Sequence, residues 1–260
     1  YPESSGNIRG KITTAGVITE YVLPGSSSNR LGGITSGPDG NLWFTETWGS
    51  KIGKITTAGV ITEYAVPTSN SMPHSITSGP DGNLWFTEYY GRKIAKITTA
   101  GVITEYGDYF LYGPTSITSG PDGKLWAMDS YRAVKITTAG GMTKYDSNHN
   151  CSGDIMSGTG YNLWAIGYYI CYITTAGGIT EYSLSYSANT GYLGSGSLIT
   201  LGTDNNLWFT TTASIGNITP PPPPPTVQVP TTTQWGTLIL IFAMGVMIAV
   251  YARSVKRGSG

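Results

Sequence analysis

At 260 residues with no formal net charge, the chain lacks the clustered Lys and Arg that a phosphate backbone requires, which argues against nucleic acid as a partner. Charged residues make up only 12%, against 36 Gly and 18 Tyr, a balance of turn formers and aromatics that fits an all-β repeat protein. No stretch before residue 235 carries a helical period.

Taken in order, the chain opens in mid-repeat. Residues 1–21 match a repeat unit from just after its LWFTE segment, with no initiator Met and no secretory signal, as expected of a processed product or a fragment. From there one motif recurs. GPDG begins at Gly37, Gly79 and Gly120, and GTGY at Gly158 and GTDN at Gly202 take its place. Leu-Trp recurs at Leu42, Leu84, Leu125, Leu163 and Leu207, and Ile-Thr at Ile12, Ile55, Ile97, Ile136, Ile173 and Ile218. A period near ~40 with several short strands per unit marks a β-propeller.

Residues 75–106 show why. A short β-type run, 75–78, leads into Gly79-Pro80-Asp81-Gly82, a tight turn in which Pro presets φ, Asp bonds its own backbone and the last Gly accepts positive φ. Residues 83–88 are apolar on both faces, as a strand covered on both sides must be. Two alternating runs, 93–98 and 102–106, flank the turn Thr99-Ala100-Gly101. Each unit thus predicts four strands, a to d, which cannot bury their own faces and must stack. Trp43, Trp85, Trp126, Trp164 and Trp208 share one slot of strand b and are predicted to be core packing between blades.

Across residues 1–219 the count is five a, five b, six c and five d strands, about five and a half blades. Three closures are open. Residues 17–21 supply the strand missing from the last blade, or the natural protein carries further blades upstream in a six- or seven-bladed ring, or half-blades complete one another between molecules. The second reading is preferred. The fourth unit holds both cysteines, Cys151 and Cys171, which read either as a disulfide of an exported protein or as buried free thiols. Asn150 and Asn217 head glycosylation sequons, and His149 reads as solvated.

The repeats end at residue 219. Residues 220–234 hold six consecutive prolines, a stiff spacer, and a short polar motif. Residues 235–252 are predicted to form one transmembrane helix with Trp235 and Tyr251 at the headgroup belts. Residues 253–260, with Arg253, Lys256 and Arg257, form a basic cytoplasmic tail that leaves the propeller on the extracellular face.

The unit GPDGNLWFTE…KIGKITTAGVITEY resembles the repeat of the virginiamycin B lyase family over residues 1–219. That resemblance implies a seven-bladed propeller and, in the family's enzymes, magnesium-dependent elimination that opens a cyclic ester. The family's pattern is a His where strand a begins in one blade, then Glu-x-His in the next and a Glu 14 residues later. Here His74 and Glu88 match, whereas Gly32 stands for the first His and Met72 for the first Glu. The corresponding channel-lining positions in the other blades are Thr115, Gly153 and Ser197. Glu46 fills the slot of Glu88 one repeat earlier, so this acid reads as part of the repeat. His74 reads as a polar channel-lining residue. The C-terminus resembles the sorting signals read by exosortase-type and archaeosortase-type enzymes through Pro230, Thr231, Trp235 and Gly236.

These readings predict a surface-anchored, non-catalytic binding or structural propeller. It has no cofactor, its ligand is a glycan or protein, and its partners are the membrane and a sorting transpeptidase, with self-assembly possible. Its long loops, 65–73, 107–114 and 183–195, are rich in Tyr, Ser and Asn. The alternative is a magnesium-dependent lyase.

Overall fold

The structure, a computed structural model, describes residues 8–219 apart from 13, 24–29, 108–109, 131, 148–150, 152, 159, 161, 184–197 and 212–214. Asn150, His149, Ser197, most of the loop 183–195 and the whole of 220–260, with its predicted linker, sorting motif, membrane helix and tail, lie outside the described residues. Among the described residues every regular element is a strand, and no helix is long and apolar enough to cross a membrane.

Twenty-one strands follow the expected a–d order. A half-blade pairs β1 (Ile8–Ile12) with β2 (Ile18–Val22). Blade 1 comprises β3 (Leu31–Ser36), β4 (Leu42–Glu46), β5 (Lys51–Ile55) and β6 (Ile61–Ala65). Blade 2 comprises β7 (Pro73–Ser78), β8 (Leu84–Glu88), β9 (Lys93–Ile97) and β10 (Ile103–Gly107). Blade 3 comprises β11 (Ser116–Ser119), β12 (Leu125–Asp129), β13 (Arg132–Ile136) and β14 (Met142–Asp146). Blade 4 comprises β15 (Asp154–Ser157), β16 (Asn162–Ile166), β17 (Ile170–Thr174) and β18 (Ile179–Tyr182). Among the described residues blade 5 comprises β19 (Ile199–Leu201), β20 (Leu207–Thr210) and β21 (Ile215–Ile218).

All pairings are antiparallel, and the a strands of consecutive blades, β3, β7, β11, β15 and β19, neighbour one another. This is the arrangement of stacked propeller blades. The a–b and c–d turns lie on one face, here the turn face. The starts of the a strands, the b–c turns and the d–a loops lie on the other, the mouth face.

Each apolar cluster forms between blades rather than within one. Trp43 of β4 is buried with Ile76, Leu84 and Phe86 of the next blade, and Trp85 of β8 with Ile117, Leu125 and Ala127 of the one after. That is why strand b is apolar on both faces: Phe86 points back and Trp85 points forward.

The turn-face motif is an inter-blade clamp. In blade 1 the Asp39 carboxylate accepts the Trp43 indole N–H at 3.0 Å, and Lys54, opposite Trp43 in the register, lies over the indole ring. Tyr64 stacks on Trp43 at 5.6 Å between centroids and packs against Gly101 of blade 2, where a Cβ would come within 2.1 Å of the ring. Lys54 also donates to the Thr99 carbonyl of that neighbouring turn. The same set recurs as Asp81, Trp85, Lys96 and Tyr106, and again as Asp122, Trp126, Lys135 and Tyr145. Gly82 takes φ 73°, as the tight turn requires, and Asn205 replaces it in blade 5 at φ 60°, which Asn tolerates better than most residues.

Two sequence expectations are refined here. The tryptophans do more than fill space, because the Asp of the a–b turn, in GPDG or in its blade 5 replacement GTDN, accepts the indole N–H in blades 1, 2, 3 and 5. And Trp208 is not packed like the others: it is 37% exposed where Trp85 is 0%, because no described blade lies beyond it. In blade 4, Cys151 and Cys171 are joined in a disulfide with Cα atoms 6.1 Å apart, both in the core that receives Trp126. The bridge spans a sequence separation of 20, for which the chain-entropy model expects roughly 3 kcal/mol.

Candidate functional site

At the mouth face the a strands converge on a cavity of about 610 Å³. It is lined by Gly32, His74, Thr115 and Gly153, four of the five positions expected to line the channel. Ser197 lies outside the described residues.

Backbone and short side chains knit these strands together. Ser75 accepts the Ile117 N–H at 3.3 Å, Ser116 accepts the Ile155 N–H at 3.3 Å, and Asp154 accepts the Ile199 N–H at 3.4 Å. Deeper in, the hydroxyls of Ser78, Ser119 and Ser157 donate to the carbonyls of Ser36, Ser78 and Ser119, each one blade back. The position after the channel-lining residue is therefore an inter-blade clip in blades 2 to 4. It is Ser75 and Ser116 in blades 2 and 3 and Asp154 in blade 4, whereas blade 1 has Gly33 there, with no side chain to make the bond.

Within this frame His74 is exposed to the cavity, and its Nδ1 lies 2.8 Å from the Thr115 carbonyl. A carbonyl only accepts, so Nδ1 carries a proton and donates it to Thr115, which leaves the Nε2 edge of the ring turned away from that bond. Its own carbonyl accepts the Thr45 hydroxyl at 3.0 Å.

Gly32, one blade earlier, has no room for a side chain. A Cβ there would come within 2.5 Å of both the His74 carbonyl oxygen and Thr45 Oγ1. Gly153 is tighter still, with the Ile166 carbonyl oxygen 1.8 Å from the same virtual atom. Gly32 is a close approach to the backbone of the next blade, and Gly153 a close approach to strand b of its own blade.

Glu88 does not reach the cavity. It is 0% exposed, at the end of β8 beside Glu105 and Lys93. Burial, and then the Glu105 carboxylate, push its pKa up to about 8 against the pull of Lys93. Lys93 itself is held by Glu105 at 2.5 Å and by the Thr68 hydroxyl at 2.6 Å, tying the preceding d–a loop to blade 2. Glu46 beside Lys51 and Glu63, and Asp129 beside Arg132, occupy corresponding buried places in blades 1 and 3. The acid does belong to the repeat.

Sequence reasoning missed Asp154, the carboxylate that shares the cavity with His74. Its Oδ1 accepts from Ser116 Oγ at 2.8 Å and from its neighbour's N–H at 3.0 Å, and Oδ2 accepts from Ile199. Burial raises its pKa, while these donors and the nearby imidazole oppose the rise. Its signal was available as an acid directly after the channel-lining Gly153.

A magnesium ion wants near-octahedral oxygen ligands, commonly with one or two carboxylates among them. The described residues fit this poorly. The Asp154 oxygens are already engaged by three donors, Glu88 is buried and does not line the cavity, and no cluster of three His, Cys, Asp or Glu residues among the described residues is placed to hold a metal. Asn217, the sequon residue that is described, lies exposed on β21.

Residues 1–108 match the virginiamycin B lyase family. No curated protein matches the chain. Among solved structures it is similar to a streptogramin B lyase at 36% identity and a TM-score of 0.75, over 82% of this chain and 72% of that one. Virginiamycin B lyase from Staphylococcus aureus is 35% identical, with a TM-score of 0.75, over 83% of this chain and 74% of that one. A catalytically inactive His-to-Ala variant of the S. aureus enzyme, with quinupristin, gives 36% identity and the same TM-score and coverage. With this identity sustained over more than two thirds of those lyases, and with the same repeat stacked in the same way, the chain belongs to the virginiamycin B lyase family.

Proposed function

We propose that this chain is a non-catalytic member of the family, a propeller that binds a ligand on its mouth face at the cell surface. The observation that carries this reading is the close approach at Gly32. The position that holds the first catalytic His in the family's pattern is filled here by the backbone of the neighbouring blade. Met72 in place of the first Glu and the seclusion of Glu88 support it. Proline rod, apolar run and basic tail, in that order after residue 219, support surface attachment through residues 235–252 with 253–260 inside, and a sorting transpeptidase as a partner. The ring is six- or seven-bladed in this reading, with further blades upstream.

A second reading, a magnesium-dependent lyase acting on a cyclic ester, is favoured by one observation. His74 is exposed to the cavity with its Nδ1 bonded to the Thr115 carbonyl. Incubation of the purified chain with quinupristin and magnesium, followed by chromatography, separates the two. The ester is expected to remain cyclic. A linear product that disappears in His74→Ala overturns the non-catalytic reading. Protease added to intact cells is expected to remove the propeller and spare the basic tail, and the reverse outcome refutes the surface location.

A further inference from the structure

Beside the channel, between blades 2 and 3, the mouth face carries a second concavity of about 520 Å³. Its walls include Tyr89, Tyr90 and Arg92 from one b–c turn, Tyr112 from the d–a loop, Ser130 from the next b–c turn and Arg132 at the start of β13. Among the described residues no aliphatic side chain lines it. We propose that this groove binds an acidic oligosaccharide, a chain of hexuronate residues, through aromatic stacking and a guanidinium–carboxylate contact.

The rings are held open by the fold. Tyr90 is 66% exposed and Tyr112 48% exposed, so both present faces to solvent. Tyr89 lies tilted against Tyr90 at 5.3 Å between centroids and rests on Gly113, whose φ of 73° and missing side chain let the ring approach. The Tyr112 backbone is fixed at both polar groups: its N–H donates to Asp129 at 3.1 Å, and its carbonyl accepts from the Ser130 hydroxyl. A ring on a pinned backbone suits stacking on the C–H face of a pyranose, because little conformational freedom is lost on binding.

The charge is placed to read an acid. Arg132 is committed to Asp146 at 2.6 Å and to the Phe110 carbonyl at 3.4 Å. Arg92 sits over the Tyr112 ring at 5.4 Å and makes no ion pair with any described residue. The planar guanidinium is thus oriented by the ring, with its donor fork available for a carboxylate. Of the acids at the groove, Asp146 is matched by Arg132, and Asp129 is buried and engaged by Tyr112. Among the described residues this leaves Arg92 as the exposed charge at the groove without an ionic partner. A peptide would lack an apolar anchor pocket here, whereas a sugar chain needs only rings, hydroxyls and one cation.

This inference extends the reading of the chain as a binding module without depending on its lack of catalysis. The test is calorimetric titration of the purified chain with tetragalacturonate, its methyl ester and maltotetraose. Saturable binding of tetragalacturonate is expected, at least about tenfold tighter than binding of either neutral tetramer. Arg92→Gln and Tyr112→Ala are each expected to weaken it about tenfold or more, and His74→Ala to leave it unchanged. Absence of saturable binding, equal affinity for the methyl ester, or indifference to Arg92→Gln overturns the proposal. Loss on His74→Ala alone moves the ligand to the channel, which refutes the groove and leaves the binding-module reading standing.

Discussion

The two faces of these blades descend from the same repeat but differ in how closely its copies agree. On the turn face, blades 1 to 3 keep one clamp of Asp, Trp, Lys and Tyr, each piece touching its own blade or the next. On the mouth face, the b–c turns read Thr47-Trp48-Gly49-Ser50 in blade 1 and Tyr89-Tyr90-Gly91-Arg92 in blade 2, and blade 4 places Tyr168 there. Trp48, Tyr90 and Tyr168 are all exposed. Side chains that hold blades together are constrained by geometry, and those at solvent-facing tips are not. The difference teaches where to look for recognition, because function is grafted where the scaffold leaves freedom.

The largest loss of stability is expected at the clamp. Trp85→Ala is expected to cost about 3–5 kcal/mol in urea denaturation. Trp208→Ala should cost clearly less, since Trp208 starts with 37% of its surface in water. Equal losses at the two positions would mean that the described burial of Trp208 is wrong.

Removing the disulfide by Cys151→Ser with Cys171→Ser is expected to lower stability by roughly 2–4 kcal/mol, read by the same denaturation.

Glu88 gives a pH signature that the turn face lacks. Its folded pKa of about 8 lies above its ordinary 4.5, so the folded state holds a proton that the unfolded chain has lost. Its contribution is therefore fully present below pH 4.5 and is lost as pH rises through 8. Asp39, Asp81 and Asp122 act in the opposite sense. Burial resists their ionisation, but side-chain hydrogen bonds led by those from Asn41, Asn83 and Lys135 outweigh it and hold their pKa values low, so stability falls as pH drops through those values. The melting temperature should decline from pH 5 to pH 9, and Glu88→Gln should flatten that alkaline limb. An unchanged slope in Glu88→Gln would show that the charge is relieved elsewhere.

At the small end, Asp81→Ala removes one partly buried bond to Trp85 and is expected to cost about 1 kcal/mol. Arg92→Gln, on the mouth face, is expected to stay within about 0.5 kcal/mol of the parent protein while changing ligand binding.

Much of the fold could be read from the repeat alone. Leu-Trp, GPDG and TTAG place strands and turns by local chemistry, so the order and number of a, b, c and d strands agree with the structure. What could not be read depends on which blade lies next door. Lys54 looks like an ordinary exposed strand lysine until its partners, the Trp43 ring and the Thr99 carbonyl of the following blade, are brought to it. Trp208 carries the same local signature as Trp85 and differs only in its neighbour. At the site, the channel column was legible because the repeat aligns Gly32, His74, Thr115 and Gly153. Asp154 was not singled out, because a carboxylate beside that column gains meaning only when Ser116 and Ile199 converge on it.

On the proposed reading, the channel mouth is closed to a second histidine by the approach of backbones around Gly32. The most direct measurement is the melting midpoint of Gly32→His. A Cβ within 2.5 Å of the His74 carbonyl forces a shift of main chain, so the variant is expected to lose about 1–3 kcal/mol, as overpacking does, and to melt several degrees below the parent. A Gly32→His protein that melts with the parent would show that the mouth has room for the missing catalytic group, and the non-catalytic reading would lose the observation on which it stands.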